Sequence, residues 1–247
     1  MKASQIEFRL RVAIMVAVVA LGFWSPWIEA WGIGRRISLL EWFALELSRL
    51  GLFPFTIATP VAIVLASLLA AAGVVLRVWS TAWLGRGVVN NAEMKAGAVM
   101  ADGPYRFVRN PLYLGTWFMM AAMSFIMPAT GALFAMVLIT LFLLRLILAE
   151  EAFLAARLGE PYQAYLRAVP RLFPRLRSNL PRAGLEPRWG QSLLSEINPI
   201  GVLFTVAVLS WSYNNRLMVR AILVSFGLSL VVRALMPGKQ RGEDKPS

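Results

Sequence analysis

Apolar stretches of near-membrane length alternate with short polar ones along the whole chain. A helix through hydrocarbon needs about 20 mostly apolar residues. Six segments reach or approach that length, about 11–31, 55–78, 112–127, 130–149, 198–214 and 217–236. The third is short, and MPATG (Met127–Gly131) turns it into the fourth, which predicts a tight helical hairpin. Between the first two stretches runs RRISLLEWFALELSRLGLF. At 100° per residue, Ile37, Leu39, Leu40, Phe43, Leu47 and Leu50 share one face, and Arg35, Glu41, Glu46, Ser48 and Arg49 the other. That pattern predicts a helix lying flat in the membrane interface. The fold class expected is all-α: a polytopic membrane protein of about six transmembrane helices.

Composition sharpens this picture. Of 247 residues, 58% are hydrophobic, well above the share in a soluble domain. The start has a basic region and an apolar run, like a secretion signal. No A-x-A cleavage site follows and the run extends toward Trp31, so it reads as an uncleaved anchor. The net charge of +12 suits cytoplasmic loops held against anionic lipid better than nucleic-acid binding. With the N-terminus inside, 17 of the 25 Lys and Arg fall on the cytoplasmic side and five outside, and Arg77, Arg145 and Arg233 lie near helix ends. This bias orients the chain with both termini and the loops around 79–111 and 150–197 in the cytoplasm. The absence of Cys and His excludes disulfides, thiol chemistry, imidazole bases and imidazole metal ligands, and no metal site is expected. Three regions follow: 1–54 with the first membrane helix and the interfacial helix, 55–178 as a core, and 179–247 as a Pro/Arg-rich linker and a final helix pair.

Two polar motifs interrupt the core. In ADGPYRFVRNPLYLG (Ala101–Gly115), Asp102-Gly103-Pro104 is a turn signal and Asn110-Pro111 a second one, ahead of a helix. Proline is tolerated in the first helical turn because its missing N–H has no intrahelical partner there. The free N–H groups of that turn, beside Arg106 and Arg109, suit an anionic group. A membrane helix that simply starts with a turn and snorkelling arginines reads the same way. The second motif, LRLILAEEAFLAARLGEPYQAYLRAVPRLFP (Leu144–Pro174), puts Glu150-Glu151 where the fourth apolar helix leaves the membrane. Adjacent carboxylates repel and are costly near hydrocarbon, so they need cations or a ligand. Arg145 lies one turn earlier, and Arg106 and Arg109 approach from the other end of the hairpin. Both carboxylates are expected at a wet boundary. Tyr162 and Tyr165 suit either an interfacial anchor or a pocket wall.

Together, GPYRFVRNPLYLG and, one hairpin later, EEAFLAARLGEPYQAYLRAVPRLFP resemble the integral-membrane methyltransferases. That family includes isoprenylcysteine carboxyl methyltransferase and the phosphatidylethanolamine N-methyltransferases. The resemblance runs from about Leu76 to Pro174 and takes in RVWSTAWLG before the first motif. It implies a pocket for S-adenosylmethionine that opens to the cytoplasm. The residues it points to are Tyr105, Arg109, Asn110, Pro111, Tyr113, Leu114, Gly115, Glu150, Glu151, Tyr162 and Tyr165, with Arg145 and Glu150 as catalytic candidates. The acceptor it implies is a lipophilic small molecule or lipidated substrate, such as a prenylcysteine-like carboxylate or a lipid head group, reached from the bilayer. Arg145 or Arg77 would orient a carboxylate acceptor, whereas an amine needs Glu or Tyr to take its proton. The short loops suggest a bacterial inner membrane as the setting, and membrane lipids rather than nucleic acid are the partners expected from the charge. The family commonly reads Arg-His-Pro where this chain has Arg109-Asn110-Pro111, so position 110 keeps a hydrogen-bonding role and loses a titrating one. Two rival readings are an NADPH-dependent sterol- or steroid-type membrane reductase and a non-enzymatic transporter or scaffold. Paired glutamates oppose the first, since a phosphorylated nicotinamide cofactor wants cations. A polar cluster at one boundary opposes the second, since transporters carry theirs near the midplane.

Overall fold

The computed structural model describes residues 3–25, 37–83 and 101–235. The end of the first apolar stretch (26–31), Arg35, and residue 236 of the last stretch lie outside them. Among the described residues the secondary structure is helical. The α-helices are α1 (Gln5–Arg9), α2 (Arg11–Phe23), α3 (Leu39–Arg49), α4 (Phe55–Trp83), α5 (Pro111–Ser124), α6 (Ala129–Leu158), α7 (Glu160–Ala168), α8 (Trp189–Ser195), α9 (Ile197–Ala207) and α10 (Asn215–Leu235), with short 3-10 turns at Gly103–Arg106 and Leu209–Ser212.

Two of these, α4 and α6, are long and apolar enough to cross a membrane. A third span exists if α8 and the helix from Ile197 to Ser212, bent by 67° at Glu196, are one broken crossing. Among the described residues, the six predicted stretches thus yield two or three helices that qualify on length and apolarity. The others fall short partly because α2 holds 13 residues and α5 only 14.

Small residues let the helices approach closely. In α4, Ala58, Ala62, Ala66, Ala70 and Gly73 form one buried stripe. Where α4 crosses α5, a Cβ added to Gly73 would lie 2.7 Å from Met119 Sδ and 3.0 Å from the Gly115 carbonyl. Such contacts replace the hydrophobic drive that lipid removes between membrane helices. Leu40, Ile63, Met119, Met123, Ile126, Val202, Val206 and Met218 close a core shared by α3, α4, α5, α9 and α10.

The hairpin forms as predicted, with α5 and α6 joined through residues 125–128. Helix α3 docks on that turn. Its first free N–H groups, of Leu39 and Leu40, donate to the carbonyls of Met127 (2.7 Å) and Phe125 (2.9 Å). Ser38 caps it in a box with Glu41. Of the predicted apolar face, Leu40 is buried, and Phe43 packs edge-on against Phe125 (6.1 Å between centroids, 71°). Leu50, assigned to that face, is exposed, because the helix ends there and the hairpin tip is covered by the first two turns.

Candidate active site

At the opposite end from the hairpin tip, both polar motifs meet. Gly103 takes a left-handed φ of 55°, and the Trp83 ring fills the space where a side chain would go. Buried Asp102 accepts from the backbone N–H groups of Ala183 (3.2 Å) and Leu185 (2.9 Å). Arg106 donates to the Leu180 carbonyl, and the Arg188 N–H to that of Ala82. The Pro/Arg-rich linker therefore straps across the first motif. Lower in the same strap, Arg109 N–H donates to the Pro170 carbonyl (2.9 Å) and Arg175 N–H to that of Phe107 (3.0 Å).

The strap delivers Arg171 to Glu151. Arg171 Nε and Nη2 donate to Glu151 Oε2 at 3.0 and 2.8 Å. Arg109 Nη1 lies 3.4 Å from Glu151 Oε1. Asn110 Nδ2 donates to that same oxygen (3.0 Å) and to the Arg171 carbonyl (3.3 Å). Glu151 is buried, so these donors are what permits its charge. Asn110 sits at the N-cap of α5 without capping it, since its side chain is drawn across to Glu151. Its carbonyl is not free either, because the Leu114 N–H takes it at 3.0 Å.

One residue earlier, Glu150 points elsewhere and accepts from Tyr113 Oη (2.7 Å). Tyr165 Oη donates to the Tyr105 carbonyl (2.8 Å), and its ring lies 5.8 Å from that of Tyr162. Burial first, and then nearby charge, push the hydroxyls of Tyr105, Tyr162 and Tyr165 above the ordinary tyrosine range. For Tyr105 the added charge is Glu150; for Tyr162 it is Glu151 and then Glu150. All three are neutral phenols at physiological pH. The buried Tyr105 Oη, Arg106 Nε, Arg109 Nε and Trp83 Nε1 have no hydrogen-bond partner among the described residues. A buried donor left so costs about 1–3 kcal/mol, which marks Tyr105 and Arg109 as groups that a polar ligand would satisfy.

The structure thus gathers Tyr105, Arg109, Asn110, Tyr113, Glu150, Glu151, Tyr162 and Tyr165. Pro111 opens α5 and is buried beside them, and Leu114 is half-buried on the next turn. Gly115 faces α4, where an added Cβ would lie 2.7 Å from Arg77 Cγ. Two arginines considered for orienting a carboxylate are already paired. Arg145 Nη2 donates to both oxygens of Glu7 (2.9 Å each). Arg77 bonds Glu196 through Nε (2.6 Å) and Nη2 (3.2 Å), and Thr116 through Nη1 (2.5 Å). Sequence reasoning missed Arg171, Asp102 and Glu196. For Arg171 a signal existed: it follows Pro170 inside the second motif, and paired carboxylates near hydrocarbon need cations.

Residues 61–160 match the phospholipid methyltransferase family. Over 70 residues the chain is 44% identical to a methanethiol S-methyltransferase of Crocosphaera subtropica, a stretch covering 28% of this chain and 27% of that protein. The chain therefore matches about a quarter of that relative's length. No solved structure matches.

Proposed function

We propose that this chain is an integral-membrane methyltransferase that moves a methyl group from S-adenosylmethionine to a lipophilic acceptor, a reading supported by the family match over residues 61–160 and the 44% identity over 70 residues to a methyltransferase. The observation that carries this reading is the convergence of Arg109, Asn110 and Arg171 on Glu151, beside neutral tyrosines and a buried Tyr105 hydroxyl without a partner. When bound, the cofactor supplies an electrophilic methyl on a sulfonium. The residues of the chain fit such a molecule chemically. Arg109 and Arg171 offer cationic donors to its carboxylate, Tyr105 and Glu150 offer a hydroxyl and a carboxylate to its polar groups, and Tyr162 and Tyr165 present aromatic faces. Because no base has to generate the electrophile, the chain's task is to align the partners and exclude water. Glu150, held by Tyr113, is the carboxylate available to take a proton from a protic acceptor. The relative's name concerns a thiol and the family's a phospholipid, so the acceptor is a small or lipid-borne nucleophile that arrives from the bilayer.

We place the cluster at the cytoplasmic face of a bacterial inner membrane, with six crossings in all. The test is a thermal shift of the detergent-solubilised protein. S-adenosylhomocysteine should raise its Tm and NADPH should not; a shift with NADPH alone would favour a reductase.

A further inference from the structure

A cavity of about 490 Å³ lies between α1 and the last turns of α6, within the range of about 300–1,000 Å³ typical of small-molecule sites. Its walls are mostly apolar, with Ala3 and Phe8 on one side and Phe153 and Leu154 on the other. Phe153 is exposed on the bundle surface, so one wall of the cavity is turned outward. The other end reaches Glu150, the residue that also touches the tyrosine cluster through Tyr113. Glu150 Oε2 takes the Tyr113 hydroxyl, and Oε1 takes no hydrogen bond from the described residues.

Helix α1 closes this chamber and has no buried residue of its own. It is held by the Ala3 N–H to the Arg145 carbonyl (3.2 Å) and by the two-oxygen Glu7–Arg145 pair. Arg145, the arginine that would have greeted a carboxylate, is consumed in that latch. The remaining cation on the lining, Arg9, is exposed. An acceptor carboxylate would thus meet the Glu150 carboxylate as a like charge.

We propose that this chamber binds the methyl acceptor, and that the acceptor is a small apolar molecule bearing a thiol or amine rather than a carboxylate. The proposal rests on the methyltransferase reading above. The heteroatom's lone pair forms the bond to the methyl carbon, the sulfur–methyl bond breaks with its electrons going to sulfur, and the acceptor's proton passes to Glu150 Oε1.

The experiment is photolabelling in proteoliposomes with two eight-carbon alkyl diazirines, one ending in a thiol and one in a carboxylic acid, followed by peptide mapping. The thiol probe should label peptides from both walls, residues 3–9 and 149–154, at least about tenfold more than the acid. Ala3→Trp and Leu154→Trp fill the chamber from opposite sides. Each should cut that labelling by about tenfold and leave the calorimetric affinity for S-adenosylhomocysteine unchanged. Labelling that survives both substitutions overturns the chamber, and equal labelling by the acid overturns the acceptor class. Intact chamber labelling in a wild-type protein that does not bind S-adenosylhomocysteine overturns the methyltransferase reading instead.

Discussion

Neighbouring residues Glu150 and Glu151 have separate partners because about 100° of helix rotation divides them. Glu151 is buried under two arginines and an amide, not at the wet boundary that its position beside a polar loop suggested. Glu151→Gln leaves Arg109 buried without its counter-charge and should lower stability by about 3 kcal/mol, the low end for breaking a buried pair, because Arg171 remains partly wet. Glu150→Gln keeps an acceptor for Tyr113 and should change stability by less than about 0.5 kcal/mol. If Glu150 takes the acceptor's proton, the same change lowers turnover by about 10²–10⁴. Thermal unfolding beside a methyl-transfer assay separates the two effects. Asn110→Ala removes both donors of that side chain and should cost about 1–3 kcal/mol in thermal unfolding. Asn110→His restores one donor, so activity should stay within about tenfold of wild type, with no new pH limb near about 6.5.

Helix α1 is held by the packing of Phe8, by the Ala3 N–H bond and by the Glu7–Arg145 latch, and that latch has a defined pH window. The Ser4 backbone N–H first, and then Arg145, hold the Glu7 carboxyl at about 2, below its ordinary 4.5. A depressed carboxyl stabilises the capped helix, and through Arg145 its docking, above the ordinary value, and it loses that contribution as pH falls from 4.5 through about 2. Spin labels at Ile6 and Arg157 should therefore report one distance from pH 7 down to 5 and a spreading distribution below 4.5. Glu7→Gln should show the spread at neutral pH. The crossing of α4 and α5 depends on space in the same local way. Gly115→Ala forces its new methyl against Arg77 and should cost about 1–3 kcal/mol in thermal unfolding.

Across the whole molecule, the elements sort to two ends. Helix α1, both motifs and the Pro/Arg-rich strap share one end; α3 and the hairpin turn share the other. Since the chain has no cysteine, single cysteines report cleanly on which end faces which side. Leu176 is 98% exposed in the strap and Leu50 71% exposed beyond α3. With the cluster in the cytoplasm, Leu50→Cys should react with a membrane-impermeant maleimide added outside intact cells, and Leu176→Cys only after permeabilisation. The reverse pattern would overturn the orientation and the cytosolic cofactor together.

The helical class, the hairpin and the two motifs were legible in the sequence because each is a local property. An apolar run, a turn signal or a proline at a helix start acts within a few residues of itself. That the motifs' tyrosines and Glu150-Glu151 lie together followed from the hairpin joining them. The pairing of charges was not legible. Arg171 reaches Glu151 across 20 positions, Arg77 reaches Glu196 across 119, and Arg145 reaches Glu7 across 138. Any arginine satisfies any carboxylate, so the sequence leaves the partner open. Only the close crossing of helices at small residues, and the strap drawn over the first motif, decided which charges met. That packing is also what turned Arg145 from an acceptor ligand into the latch of a chamber.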